Sequence, residues 1–477
     1  MPGTLAGRRS PFALPDPGLL TERLNRGARR ARRHGECLVG MTWELAADVD
    51  PGAVAVASRR AGEPWFCFEQ PDRERRAVAA IGAVAVLEDR GDGRFERVAA
   101  RWRALAGRAL ADPPDGPAAG GLIACGGFAF APEGGSSPQW SGYPPASLVV
   151  PAVSIARQGA EVRITVAALV RPADTPAELL AAVERRLGEL RDEPLPLLDP
   201  HPTGRFRVAG AMAPEHYESA VGRAVERIRA GALEKIVLAR EVDVHAPSPH
   251  DAAAVFGVLR EAFGACFVFC AGRGDAAFVA ASPELLIRRE GMRASTLALA
   301  GSIRRSADPA VDDHLGEQLL HSAKDRQEHE IVSRRIELAL LPHSVWVTKA
   351  PEPTVVSVAN IQHLATPVRA QLRRPVGAIE LAGILHPTPA VGGEPHAAAV
   401  ALIPALEGID RGWYAGPVGW TDANEDGEFC VALRCALIEG RLARCYAGVG
   451  VVADSDPAAE LAETEVKLQA LLPVLSG

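Results

Sequence analysis

The chain lacks the marks by which several function classes announce themselves. None of its eight cysteines (37, 67, 125, 266, 270, 430, 435 and 445) forms a CxxC pair. Most stand in apolar, strand-like stretches, so they read as reduced core residues, not as a disulfide frame or zinc site. No run approaches the roughly 18 consecutive apolar residues of a membrane span, and no apolar h-region follows the basic N-terminus. The expectation is a soluble, cytoplasmic protein with no membrane partner. Net charge is −7, whereas a duplex partner favours a clearly basic surface, which argues against nucleic acid. No GxGxxG or GxxxxGK(S/T) sits at a strand-to-helix turn, so nucleotide-binding folds lose support.

What is present is apolar mass: 48% of 477 residues are hydrophobic, enough for a large core in one α/β unit. Residues 1–35 are Arg-rich, with "RLNRGARRARRHGE" at their end, and are expected to form a solvated, mobile basic tail. Over 36–205, short apolar runs alternate with Gly/Pro turns and two helical stretches, "RFERVAARWRALAGRAL" and "PAELLAAVERRLGEL". The segment 191–204, "RDEPLPLLDPHPTG", has four prolines in fourteen residues. It reads as a linker ahead of a second half, 206–477, because proline continues neither regular structure.

In that second half "LEKIVLAREV" reads as an interior strand with a lysine set into it, Lys235 sharing a face with Val237 and Ala239. A buried lysine gives up hydration worth several kcal/mol unless it is paired or neutral, so it requires a reason. Glu284 follows Ser282-Pro283, where the proline breaks strand pairing and can aim the next side chain inward. The spacing predicts one long helix from about Val311 to Leu341, with Leu338 on its buried side and Lys324 and Glu328 sharing a face. "EFCVALRCALI" predicts a strand in which Cys430, Ala432 and Ala436 flank Arg434, leaving room above the guanidinium. "WYAGPVGW" and "CYAGVGVV" read as strands, "TDANEDGEF" and "LIEGRLAR" as hairpins, and Asp456-Pro457 opens a last helix on which Glu460, Glu463 and Lys467 line one face. Taken singly, each of these residues also fits a structural role: Arg434 or Glu284 in a core ion pair, His363 bonded to backbone, the glutamates solvated.

In combination they carry a resemblance. "EKIVLAR", "FVAASPELL", "LALAGS", "SAKDRQEHEIV", "IQHLATPV", "HPTPAVGG", "YAGPVGW", "VALRCALI" and "YAGVGVVADSDPAAELAETEVK" resemble, in this order, the chorismate-utilising enzymes, and most of all the isochorismate synthases. The likeness covers about 206–477, with "CGGFAFAP" and "LVVPAVSI" weaker echoes upstream. It implies an α+β fold, the large antiparallel-sheet α/β sandwich of the anthranilate synthase type. It also implies exchange of chorismate's 4-hydroxyl for a 2-hydroxyl from water, for menaquinone or siderophore biosynthesis. Lys235 then matches the general base and Glu284 the general acid. Glu328 and Glu463 match the glutamates that hold Mg²⁺, with Glu460 and Asp325 one turn away ordering its waters. Arg434 would grip the enolpyruvyl carboxylate and Lys467 would add charge. Tyr414 would stand at the pocket wall, His363 near the ring, and the backbone at Gly301 and Gly448 close to the substrate.

Within the family, anthranilate synthases lack the lysine base, and aminodeoxychorismate synthases carry a second lysine where this chain reads "LALAGS". Water, not ammonia, is thus the expected nucleophile, with no glutaminase subunit and a monomeric chain. Salicylate synthases carry threonine where Ala390 stands, which points to stopping at isochorismate; the alternatives are a salicylate synthase or an inactive relative. Ser302 and Gly392 depart from the family's usual threonine and cysteine, and neither is expected to touch a catalytic group.

Overall fold

The computed structural model describes residues 10–46, 48–358 and 361–477. Alternating apolar runs build two sheets, in which the strands pair antiparallel throughout the described residues apart from an isolated parallel bridge between Val39 and Leu110, and short turns join most successive strands. The larger, of twelve strands, runs from Cys37–Glu44 at one edge to the short Gly393–Glu394 at the other. The smaller, of ten, runs from Ser344–Lys349 to Ala85–Asp89. Both halves of the chain contribute to both sheets: Trp65–Gln70 pairs with Phe267–Arg273 in the larger, and Ile123–Phe128 with Pro417–Asp422 in the smaller. The proline-rich stretch 191–204 forms no helix or strand. Between the layers lies an aromatic core in which Trp140, Tyr143, Phe278 and Trp413 meet edge to face, with centroids 5.1–6.5 Å apart.

Four expectations need correction. The Arg-rich stretch is not a solvated tail from its residue 17 onward: Pro17–His34 is a helix, capped by the Asp16 side chain and ended at Gly35 with φ 88°. Leu20, Leu24, Ala28 and Ala31 recur at helical spacing and are buried against the strand Cys37–Glu44 and the helix Pro176–Gly188, while the arginines face outward except Arg23, which pairs with Asp112 at 2.6 Å. The high charge count hid that stripe; residues 1–9 lie outside the described residues. Second, the long helix is two, Pro309–His321 and Ala323–Leu340, parted at Ser322, whose hydroxyl caps the second by accepting from Asp325 N–H. The break resets the helical phase and leaves Leu338 exposed.

Third, "EFCVALRCALI" is two strands, Gly427–Val431 in the smaller sheet and Cys435–Glu439 in the larger. Arg434 therefore sits in a crossing with φ 48°, not on a strand face beside Ala432. Fourth, Trp413–Gly416 is a turn leading into Pro417–Asp422, so of the two YAG stretches only the second lies within a strand, Leu442–Val451. Both expected hairpins are present.

Candidate active site

The chain changes sheets twice at one place. Ala276–Ser282 lies in the larger sheet and Leu285–Glu290 in the smaller, with Pro283 and Glu284 as the bridge. Gly427–Val431 and Cys435–Glu439 make the reverse passage beside it, with Arg434 at its end. Main-chain bonds tie the two crossings together: Val431 N–H donates to the Glu284 carbonyl at 3.0 Å and Ala281 N–H to the Arg434 carbonyl at 3.1 Å. Neither Glu284 nor Arg434 belongs to a ladder, so both side chains are free to enter the cleft between the crossings and the two helices Ala323–Leu340 and Pro457–Leu468.

This cleft measures about 780 Å³ with its open mouth. Among the residues lining it are Glu284, Gly301, His363, Ala390, Tyr414, Arg434, Gly448, Glu328, Glu463 and Lys467. Of the residues expected from the sequence, only Lys235 and Glu460 stand outside the lining. Lys235 begins the strand Lys235–His245 and is fully buried one layer behind the wall, its Nζ 2.9 Å from Glu328 Oε1. That contact lacks hydrogen-bond alignment, so Nζ has no directed partner. Val237, on the same strand face, does line the cleft. Glu460 turns away to Lys324, with Nζ to Oε1 at 2.7 Å.

Burial dominates the acid–base chemistry. It pushes the Glu284 carboxyl up to about 8, against the opposing pull of Lys235, Arg434 and Lys467. Burial likewise lowers His363 to about 3, so the ring is neutral. Its Nδ1 lies 3.1 Å from the Gly301 carbonyl and must donate there, which makes Nε2 the acceptor for Arg434 Nη2 at 3.3 Å. Arg434 has no carboxylate partner among the described residues, and burial pushes its guanidinium down from the ordinary value. A cation in this position is built for an anionic ligand. Tyr414 stacks on Tyr446 at 5.2 Å, forming an apolar wall.

Glu463 is held by Lys467 at 2.8 Å and by the Ser302 hydroxyl, which donates to Oε1 at 2.7 Å. Although burial acts to raise it, these partners keep its carboxyl below the ordinary value. Ser302 thus touches an expected metal ligand, contrary to expectation; it follows a register shift at Gly301, with φ 73°, that the sequence does not display. Asp325, Glu328 and Glu463 all border the cleft. Among the described residues no trio of His, Cys, Asp or Glu converges tightly enough to hold an ion alone. An all-carboxylate donor set of this kind suits a hard divalent cation that keeps waters and takes further oxygens from substrate.

Sequence reasoning missed a buried pair behind the site. Arg411 meets Glu407 at 2.5 Å and donates to the carbonyls of Val391 and Val237, while Glu407 accepts from Ala239 N–H at 2.6 Å. It pins the Lys235 strand to the loop after Ala390. Opposite charges four residues apart in an apolar setting were the signal available.

Residues 24–476 match the family described as chorismate binding enzyme. The chain is 37% identical over 441 residues to the salicylate biosynthesis isochorismate synthase of Pseudomonas aeruginosa, covering 92% of this chain and 90% of that one. It is 31% identical over 417 residues to isochorismate synthase MenF of Bacillus subtilis, covering 86% and 88%. The solved structure of MenF, the menaquinone-specific isochorismate synthase from Escherichia coli, aligns with a TM-score of 0.77 at 26% identity, over 96% of this chain and 99% of that one. Anthranilate synthase component I from Streptococcus pneumoniae shares the fold, with a TM-score of 0.67 at 20% identity over 83% and 92%. Family match, near-full-length relatives and the two-sheet fold agree, and the chain belongs to the chorismate-binding enzymes, as an isochorismate synthase-like member.

Proposed function

We propose that the cleft converts chorismate to isochorismate. The observation that carries this reading is a buried lysine without a directed partner close to a buried carboxyl that keeps its proton to about pH 8. Lys235 takes a proton from water as the water oxygen bonds to C2; a lysine does this only as the neutral amine. Glu284 gives its proton to the C4 hydroxyl, which leaves as water while the ring double bonds shift. One proton gained and one lost, one water in and one out, leave an isomerisation. Arg434, steadied by neutral His363, takes the enolpyruvyl carboxylate, and Lys467 adds positive charge. Tyr414 walls the pocket, and the backbone at Gly301 and Gly448 approaches the substrate. Glu328 and Glu463 would hold Mg²⁺, with Glu460 and Asp325 behind them; when bound, the ion supplies the charge that neutralises the ring carboxylate. In this reading the chain acts as a monomer without a glutaminase.

Incubating purified protein with chorismate and Mg²⁺ and resolving the products by chromatography tests this. Isochorismate alone is expected. Salicylate with pyruvate would make the protein a lyase despite Ala390, and an ammonia-dependent amine would move it to the other branch. Lys235→Ala should lower turnover at least about 10²-fold while chorismate still binds; near-normal turnover would remove the lysine as base. Glu328→Gln and Glu463→Gln should each shift the Mg²⁺ titration to higher concentration, and an unmoved titration would exclude them as ligands.

A further inference from the structure

The strand that begins with Lys235 is paired on one edge by Leu442–Val451 from Ile236 onward, but its other edge is covered only at the two ends. Gly393–Glu394 takes Lys235 and Ile236, Arg207–Gly210 takes Val242 to His245, and among the described residues no strand covers Val237 to Glu241 between them. Backbone groups at a buried edge must be met by something else. The Gly392 carbonyl accepts from Val237 N–H at 2.8 Å, and Ala211 N–H donates to the Glu241 carbonyl at 3.0 Å. Between these, side chains take over: Arg411 Nη2 donates to the Val237 carbonyl at 2.9 Å, and Glu407 Oε1 accepts from Ala239 N–H at 2.6 Å. A guanidinium and a carboxylate thus stand in for the N–H and C=O of an absent strand.

The same guanidinium reaches two further parts of the cleft wall. Its Nη1 donates to the Val391 carbonyl at 2.8 Å, one residue past Ala390, and its Cζ lies 5.6 Å from the centre of the Tyr414 ring. Val237, Ala390, Val391 and Tyr414 all line the cleft. A planar fork can meet two carbonyls and a carboxylate at once, which a lysine ammonium on its flexible stem does not. The placing of the Lys235 strand against the Ala390 loop and the Tyr414 wall therefore depends on one buried group, and a displacement of about 1 Å at a reacting centre can cost about 10²-fold in rate. On the far side of the pair, an opening of about 370 Å³ with its mouth is lined by Glu407, Ala239 and Leu406, so the place of the carboxylate can be reached from outside.

We propose that Glu407 and Arg411 are positioning residues for the reaction: as a substitute for a neighbouring strand they hold the base strand, the Ala390 loop and Tyr414 in one arrangement, and so act on the chemical step and not on chorismate binding. The inference rests on the isochorismate reading. The test is steady-state kinetics of the full chain with chorismate and Mg²⁺, the folding of each variant being followed by its melting temperature. Arg411→Lys keeps the charge and the ion pair but cannot span the carbonyls of Val237 and Val391; it should lower kcat at least about ten-fold while KM for chorismate stays within about three-fold of the parent. Glu407→Ala should lose turnover likewise, and formate, small enough to enter by the opening and meet both Ala239 N–H and Arg411, should restore it saturably where chloride does not. If Glu407→Ala does not fold, Arg411→Lys decides alone. The proposal is overturned by a kcat for Arg411→Lys within about two-fold of the parent, by a rise in KM or a loss of folded protein that accounts for the whole effect, or by formate failing to restore turnover to folded Glu407→Ala. A parent protein that makes no isochorismate would sink the functional reading and the positioning role with it, whereas a working parent with an unmoved kcat in Arg411→Lys sinks the positioning role alone.

Discussion

Glu284 stays protonated to about pH 8 because burial penalises its charge, and this sets two outcomes of opposite sense. In the proposed role of general acid it works only while protonated, so turnover should fall as pH rises through about 8. In stability the group acts against the fold: the unfolded chain releases this proton near pH 4.5, the folded protein holds it to about 8, and the cost grows across that interval and then levels. Glu284→Gln, isosteric and uncharged, should lose turnover at least about 10²-fold yet melt higher than the parent at pH 8. A variant that keeps activity, or melts lower at that pH, would contradict the assignment. The burial of Lys235 and Glu284 was legible because each breaks a local pattern, a charge in an apolar strand and a carboxylate after Ser-Pro. Ser302 and the Glu407–Arg411 pair were not, since their partners stand 161 residues away in the first case and include backbone groups of distant segments in the second.

Elements bring these groups together by close approach. The strand Leu442–Val451 passes so near the helix Ala323–Leu340 that a Cβ at Gly450 would lie 2.3 Å from Glu328 Oε1 and 2.8 Å from Lys235 Cε. Gly450→Ala should therefore split the Lys235–Glu328 contact, lowering turnover more than ten-fold while shifting the melting temperature by only a few degrees; unchanged kinetics would show that the contact is dispensable. Glycine in "YAGVGVV" was visible as a possible close approach, though not which one. Alternation likewise cannot show a strand changing sheets at small residues such as Ala432, so the Arg434 crossing stayed hidden, whereas Pro283 marked a break in pairing at the other. The helix break at Ser322 left only a serine as its mark, which reads equally well as a mid-helix residue.

At the scale of the molecule, the α+β sandwich followed from hairpins, alternating runs and family likeness, while the N-terminal helix did not, its apolar stripe outnumbered by arginines. The Glu407–Arg411 pair binds the helix His396–Glu407 to the strand Lys235–His245, next to the edge strand of the larger sheet. Glu407→Ala would strand a buried guanidinium and should cost roughly 3–5 kcal/mol in urea denaturation; a loss under 1 kcal/mol would mean the pair contributes little.

The two bridges that carry Glu284 and Arg434 are also the stitches by which one layer continues into the other. Catalytic competence is consequently a gauge of the intact sandwich: no fragment holding a single sheet contains a complete site, and no partly opened form keeps a working one. On slow heating, loss of turnover should coincide with loss of near-ultraviolet circular dichroism from the interlayer aromatics, and activity outlasting that signal would show the layers to be separable.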